Sequence, residues 1–167
     1  MKSFRLLPMR SPGALALLLV ACAKPPILSF PPPKPEPIPT VVNIELRADE
    51  KVNVDRRGRA TPIVVRYYLL QSTASFDSAD FFSLFERDEA VLGAAKIVRE
   101  ELAVQPGQTL TYELRPQGDA RHLAIFAAYR EVNRARWRAS IPIPPNKTSA
   151  YAIQIGPGAV TITAKAP

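Results

Sequence analysis

The sequence predicts a mainly β protein: a two-sheet β-sandwich of about eight strands with a short helical excursion, preceded by a signal peptide and a proline-rich tether. Two observations predict the sandwich. Short segments in which apolar and polar residues alternate recur between residues 41 and 164, and turn-forming residues separate them. A third observation, a short apolar run followed by eight prolines, separates the first forty residues from the rest. We therefore expect three parts, residues 1–21, 22–40 and 41–167.

The leader indicates the compartment. Three basic and no acidic residues precede the apolar run 13–21, whose nine residues are far fewer than the ~20 that span a bilayer as a helix. This pattern is typical of a secretion signal. The run ends Leu19-Val20-Ala21-Cys22, which resembles the lipobox of bacterial lipoproteins, where cleavage precedes the cysteine and the cysteine is lipidated. In such proteins an aspartate after the cysteine usually signals inner-membrane retention, so Ala23 implies the outer membrane.

An ordinary signal peptidase site is the alternative, and it would leave Cys22 as an incidental small residue. Two facts favour lipidation. The chain contains a single cysteine, so no disulfide framework explains that residue. A free exposed thiol would also be exposed to oxidation outside the cytoplasm.

Residues 23–40 contain the eight prolines and no glycine. Proline fixes φ and lacks an amide donor, so we expect an extended polyproline spacer with ~3.1 Å per residue and a reach on the order of 50 Å. A ligand for a proline-recognition domain is the alternative. Because a lipidated cysteine would lie directly upstream, the tether is favoured.

Removal of residues 1–21 leaves 146 residues, a length that suits one domain. It also lowers the formal charge from +7 to +4, because the removed segment carries three basic residues. A mild charge without a cluster on one face does not indicate nucleic-acid binding.

The first half of the domain is predicted from changes in the spacing of its apolar side chains. Residues 41–48 alternate apolar and polar side chains as in a half-buried strand, and residues 63–70 form a β-branched and aromatic strand. Between residues 76 and 89 the phenylalanines recur at helical spacing, with Asp77 where an N-cap would lie and Asp80 three residues on. We expect this short helix to cover the domain's own core; a partner groove is the alternative.

The second half is predicted as strands joined by turns. Residues 91–104 are ambiguous, but the turn at Pro106-Gly107 and the alternating partner at 109–114 favour a strand in their second half. Residues 122–129 are apolar on both faces and predict a central strand.

The last strands are set by proline and glycine. Pro142 and Pro144 confine the strand over 137–143 to an edge or its end. Gly156-Pro157-Gly158 predicts a final hairpin between residues 151–155 and 160–164.

Residues that could carry out catalysis are scarce. His122 is the only histidine and Cys22 the only cysteine, so the usual zinc ligand sets and a Ser-His-Asp arrangement are both disfavoured. Adjacent carboxylates occur at 88–89 and 100–101, but such pairs on charged segments are usually solvated. We expect no catalytic residues, no metal site, no small-molecule substrate and no cofactor apart from covalent lipid on Cys22.

The candidate site is the long connection between the first two strands, residues 49–62. Three arginines surround a glycine and form a compact cationic tip, with the acidic residues 49, 50 and 55 behind it. Arginine presents a planar fork of donors that suits a carboxylate-rich protein face. A solvated loop that contacts nothing is the alternative. The candidate partner-binding residues are Asn53, Asp55, Arg56, Arg57, Gly58 and Arg59.

Several segments taken in order resemble the TssJ family, the outer-membrane lipoproteins of type VI secretion. They are Asn53–Leu70, Ala79–Phe85, Leu92-Gly93, Pro106-Gly107, Ala127–Arg130 and Trp137-Arg138. The resemblance implies a transthyretin-like β-sandwich without catalysis, anchored in the outer membrane by acyl chains on Cys22. It also implies that the 49–62 loop binds the periplasmic C-terminal domain of TssM, with TssL in the same complex. Many relatives carry proline where this chain has Val54 and Ala60.

Two other functions are the alternatives to this one. A general outer-membrane lipoprotein that binds peptidoglycan or assists envelope assembly would share the leader and the tether. An enzyme on a transthyretin-like scaffold, such as a hydroxyisourate hydrolase, would use several histidines and a C-terminal Tyr-Arg-Gly-Ser. This chain has one histidine and ends Ala164-Lys165-Ala166-Pro167.

Overall fold

The computed structural model describes residues 38–165, so the predicted signal peptide, Cys22 and most of the predicted tether lie outside the described residues. Residues 38–165 form eight strands and two α-helices. In chain order they are β1 (Val41–Ala48), β2 (Ile63–Leu70), α1 (Ala74–Ser78), α2 (Phe81–Leu92), β3 (Lys96–Val104), β4 (Thr109–Leu114), β5 (His122–Ala127), β6 (Arg138–Pro142), β7 (Thr148–Ile155) and β8 (Val160–Ala164). Neither helix has the length and apolar character needed to cross a membrane.

The strands form two four-stranded sheets, which confirms the predicted two-sheet β-sandwich. The first sheet has the order β4-β1-β7-β8, and the second has the order β3-β2-β5-β6. Strand β5 therefore lies inside its sheet and β6 at an edge, and β7 and β8 form an antiparallel hairpin, all as predicted. The pairing of β1 with β7 is parallel, with Ile44 opposite Tyr151.

The main core lies between the inner faces of the two sheets. In β1 every second residue from Val42 to Ala48 is buried, which is the alternation expected of a strand with one face in the core. These side chains join buried residues of β2, β5 and β7 in one hydrophobic cluster. Because β1 belongs to the first sheet and β2 to the second, the loop 49–62 crosses from one sheet to the other.

A second, smaller core covers the outer face of the second sheet. Tyr68 of β2 and Phe126 of β5 point outward and pack with Phe76 of α1 and Leu84 of α2. The ring of Phe81 stacks on Phe126 at a centroid distance of 5.0 Å. The helical segment therefore covers the protein's own core, as expected, and this explains why β5 is apolar on both faces.

The prediction of one helix over residues 76–89 with Asp77 at its N-cap was wrong. Asp77 lies inside α1, and Ala79 is extended (φ −68°, ψ 148°), so the chain breaks before α2. Asp80 is the N-cap of α2, since its Oδ1 accepts the backbone N–H of Ser83 at 3.0 Å. Both aspartates are suitable cap residues. Because the extended backbone at Ala79 ends α1, the next helix begins after Asp80.

The predicted limits of β5 also differ from the structure, because the strand ends at Ala127 and not at Tyr129. The backbone N–H of Tyr129 bonds the carbonyl of Ala127 at 3.0 Å, which turns the chain out of the sheet. The Tyr129 hydroxyl then donates to the carbonyl of Gly156 at 2.9 Å. An apolar side chain can thus be buried just beyond a strand end, where alternation alone would extend the strand.

Candidate functional site

The loop 49–62 lies at one end of the sandwich, beside two other connections. The backbone N–H of Asp49 donates to the carbonyl of Ile155 at 2.9 Å, which places the loop base against the end of β7. The connection between β5 and β6 meets the turn between β7 and β8, because the N–H of Arg136 donates to the carbonyl of Gly158 at 2.9 Å. Three connections from both sheets therefore build one surface.

Asn53 organises the base of the loop. Its backbone is left-handed (φ 49°), a conformation that asparagine adopts more readily than most residues. Its side-chain Nδ2 donates to Thr61 Oγ1 at 3.2 Å and to the carbonyl of Pro62 at 2.9 Å. Its Oδ1 accepts the backbone N–H of Arg130 at 2.9 Å. The side chain is buried. Its hydrogen bonds join the first and last parts of the loop to each other and to the β5–β6 connection.

Asp55 organises the tip. Its Oδ1 accepts the backbone N–H groups of Arg57 at 2.8 Å and Arg59 at 2.9 Å, and its Oδ2 accepts Nε of Arg59 at 2.9 Å. The N–H of Gly58 donates to the Asp55 carbonyl at 2.9 Å, and Gly58 has the positive φ (77°) that glycine adopts without steric cost. The tip is therefore a hydrogen-bonded turn around one carboxylate.

The three arginines of the tip differ in their surroundings. Arg59 forms an ion pair with Asp55, in which Nη2 and Oδ2 are 2.8 Å apart. Arg56 and Arg57 are exposed, and neither side chain has an ion-pair partner among residues 38–165. The structure therefore brings all six predicted site residues together, and among residues 38–165 it pairs the guanidinium group of Arg59 but not those of Arg56 and Arg57.

Two adjoining depressions flank the tip, and the sequence reasoning missed most of the residues that line them. A cleft of about 110 Å³ lies between the 49–62 loop, the β5–β6 connection and the β7–β8 turn. A shallower depression follows the tip itself and shares Val54, Arg130 and Glu131 with the cleft. The segment Ala127–Arg130 was visible as part of the family resemblance, but nothing in its pattern assigned it to the site.

Within residues 38–165 no cluster of three or more histidine, cysteine, aspartate or glutamate side chains is arranged for metal binding. His122 lies at the start of β5, and its buried Nδ1 has no hydrogen-bond partner in the part of the chain that the structure describes.

Replacing Asp55 with alanine should loosen the tip without unfolding the domain. Three hydrogen bonds to the carboxylate are lost, so amide exchange at Arg57 and Arg59 should become faster while the thermal midpoint stays within a few degrees of wild type. Hydrogen exchange measured by NMR tests this. Asp119→Ala, which removes an exposed carboxylate of another loop, is the matched control. Unchanged protection in Asp55→Ala would show that the carboxylate does not order the tip.

The same bonds should respond to acid. The backbone N–H of Arg59 holds the pKa of the Asp55 carboxyl below its ordinary value, with further contributions from the Arg59 side chain. The ordering of the tip is therefore fully present above the ordinary pKa of aspartate and is lost as the pH falls through the lowered pKa. Protection factors measured along an acid titration should decrease at the tip in that range.

Known proteins resemble this chain over most of the described residues. The family model of type VI secretion lipoproteins (T6SS-SciN; VasD, EvfM, TssJ) matches residues 40–158. The crystal structure of the type VI lipoprotein TssJ1 from Pseudomonas aeruginosa is 32% identical over 77% of this chain and 98% of its own, with a TM-score of 0.75. Lip from Serratia marcescens, a membrane-bound component of the type VI secretion system, is 28% identical over 75% of this chain and 99% of its own, with a TM-score of 0.69.

A more distant likeness supports the fold alone. A chain of a type VI membrane complex is 24% identical over 74% of this chain and 98% of its own, with a TM-score of 0.65. No curated protein sequence matches this chain significantly.

Proposed function

The chain belongs to the type VI secretion lipoprotein family that includes TssJ, and from this premise we propose that it holds the periplasmic C-terminal domain of TssM at the outer membrane. In this proposal acyl chains on Cys22 fix one end of the protein in the membrane. The proline-rich segment separates the sandwich from the membrane surface, and the loop 49–62 binds the partner. TssL completes the same membrane complex.

The observation that carries the proposal is the ordered cationic tip. Asn53, Asp55, Gly58 and Arg59 are engaged within the loop, so their role is to shape it. Arg56 and Arg57 are exposed, and they are the groups that contact carboxylates of the partner. Because hydrogen bonds fix the loop before docking, binding does not have to order it, and less free energy is lost on association.

The anchor makes the interface effective. Each buried methylene of an acyl chain contributes ~0.8 kcal/mol to membrane binding, and more than one chain makes anchoring stable. Confinement to one membrane raises the effective concentration of the docking surface for a partner that reaches it, so an interface of modest area is sufficient. The protein contributes a fixed docking point and no catalytic step.

Charge reversal at the tip tests the proposal. Arg56→Glu/Arg57→Glu should weaken binding of the purified C-terminal domain of TssM about tenfold or more, because two cations that face carboxylates become like charges. Isothermal titration of the mature lipoprotein in detergent measures the change. Arg115→Glu/Arg121→Glu, which reverses two exposed arginines outside the loop, is the matched control and should bind as wild type does.

Two results would contradict the proposal. Equal affinity of the tip variant and wild type would remove the tip from the interface. Binding of purified peptidoglycan fragments by the wild-type protein, with no binding of the TssM domain, would favour a general envelope lipoprotein instead.

A further inference from the structure

The cleft beside the tip has apolar walls. Val54 of the 49–62 loop, Tyr129 and Ala135 of the β5–β6 connection, and Pro157 of the β7–β8 turn line it. Its volume is about 110 Å³. A cavity of about 150 Å³ holds a benzene molecule, so this cleft suits a smaller group such as a branched aliphatic side chain. The volume of the cleft therefore suits one side chain.

The walls of the cleft are fixed by hydrogen bonds between the connections that form it. The Tyr129 hydroxyl donates to the carbonyl of Gly156 at 2.9 Å, which holds the ring against the β7–β8 turn. Arg136 and Gly158 are joined by a backbone hydrogen bond of 2.9 Å, and Asn53 accepts the N–H of Arg130. The cleft therefore exists before any partner arrives, as is usual for ligand pockets.

The rim of the cleft is positively charged. Arg130 and Arg134 line it together with one carboxylate, that of Glu131. The adjoining depression extends this rim to Arg56, Arg57 and Asp55, and the Asp55 carboxylate is already paired with Arg59. Four arginines and two carboxylates therefore surround the cleft and its extension. A group that enters the cleft is therefore best carried by a segment with negative charge on either side.

We propose that this cleft is the anchor pocket of the docking surface, and that it receives one aliphatic side chain from an acidic segment of the protein partner. The proposal rests on the proposed function, because it assumes that the 49–62 loop receives a protein. A buried apolar anchor within a polar rim is the arrangement in which a single side chain contributes most to affinity. The arginines then orient the segment, and the cleft holds it.

Filling the cleft tests the proposal. Gly158 lines the cleft, its φ is not in the left-handed region, and a Cβ built on it meets no heavy atom within 4 Å. Gly158→Leu should therefore fold normally, occupy the pocket and weaken binding of the TssM domain at least tenfold. Ala164→Leu makes a similar change at an exposed position of β8 and should leave the affinity unchanged. Thermal melts of both variants check that they are folded.

A second variant does not depend on Gly158. Val54 is 41% exposed, so Val54→Ala removes one apolar wall with little effect on stability, and it should weaken binding several-fold. The salt dependence of binding distinguishes the charged contribution of the tip from the apolar contribution of the cleft. At 0.5 M NaCl the contribution of Arg56 and Arg57 is screened, whereas the ratio of wild-type to Val54→Ala affinity should persist because it is apolar.

The outcomes distinguish the two proposals. If the wild-type lipoprotein does not bind the TssM domain, the proposed function fails. If wild type binds, and folded Gly158→Leu and Val54→Ala bind equally well, the anchor pocket is overturned while the cationic tip remains. If Gly158→Leu is unstable, the affinity of Val54→Ala alone decides.

Discussion

Replacing Cys22 with serine should release the mature protein from the membrane and abolish type VI secretion. The acyl chains are the only strong attachment in the proposed mechanism, since removing them forfeits ~0.8 kcal/mol for every buried methylene. Fractionation of cells into periplasm and outer membrane, together with an assay of effector release, measures both effects. The protein should move entirely to the soluble periplasmic fraction, and effector release should fall to the level of a deletion strain.

The neighbouring residue supplies the control for that change. Ala23→Ser alters the position after the cysteine and keeps the lipidated side chain, so secretion and localisation should match wild type. Normal secretion by Cys22→Ser would contradict the anchoring role. A wild-type protein that keeps its leader and a free thiol at Cys22 would contradict the lipoprotein mechanism from the start.

Much of the fold could be predicted from the sequence because strand periodicity is a local property. The alternation in β1, the apolar run of β5 and the Gly-Pro-Gly turn before β8 each indicate an element without knowledge of the rest. The parallel pairing of β1 with β7 joins segments about a hundred residues apart, and no local pattern specifies it. The break between α1 and α2 was missed because Asp77 and Asp80 are equally suitable N-cap residues. The local sequence does not show which of them begins a helix.

The candidate site was predictable only in part. The arginines of the tip were visible as a cluster of charge, but the sequence did not show that Asp55 engages Arg59 and that Arg56 and Arg57 have no ion-pair partner within residues 38–165. The cleft is formed by three connections that are distant in the chain, so its residues have no common motif. A compositional feature can thus be found from the sequence, whereas a concave surface depends on the tertiary structure.

Helix α2 is held to the second sheet by a buried arginine. Arg66 of β2 is 7% exposed, and its Nη1 donates to the carbonyls of Leu84 at 3.1 Å and Phe85 at 2.9 Å. Its Nε lies 2.7 Å from Glu101 Oε2, and Nη1 lies 3.7 Å from Asp88 Oδ2. Both carbonyls precede the kink in α2 at Arg87, so the guanidinium group satisfies acceptors close to the break in the helix.

Arg66→Met should lower the free energy of unfolding by about 3 kcal/mol, because the carbonyls of Leu84 and Phe85 lose their charged donor. Asp88 and Glu101 each lose one cation but keep Arg99. The methionine keeps much of the side-chain length, so the loss reflects the charge and the hydrogen bonds more than a cavity. Urea denaturation measures the change, and hydrogen exchange should show faster opening of α2 than of β1. Arg115→Met, at an exposed arginine of similar ion-pair geometry, should change stability by less than about 1 kcal/mol.

Acid should reduce the difference in the free energy of unfolding between Arg66→Met and wild type. The hydrogen bond from Arg66 is the largest cause that holds the pKa of Glu101 below its ordinary value. Stability from this pair is therefore fully present above the ordinary pKa of glutamate and is lost as the pH falls through the lowered pKa. The gap in stability should be widest near neutral pH and should narrow in acid. A gap that stays constant down to the acid limit of folding would show that Arg66 acts through packing and its bonds to the helix carbonyls, and not through its charge pairs.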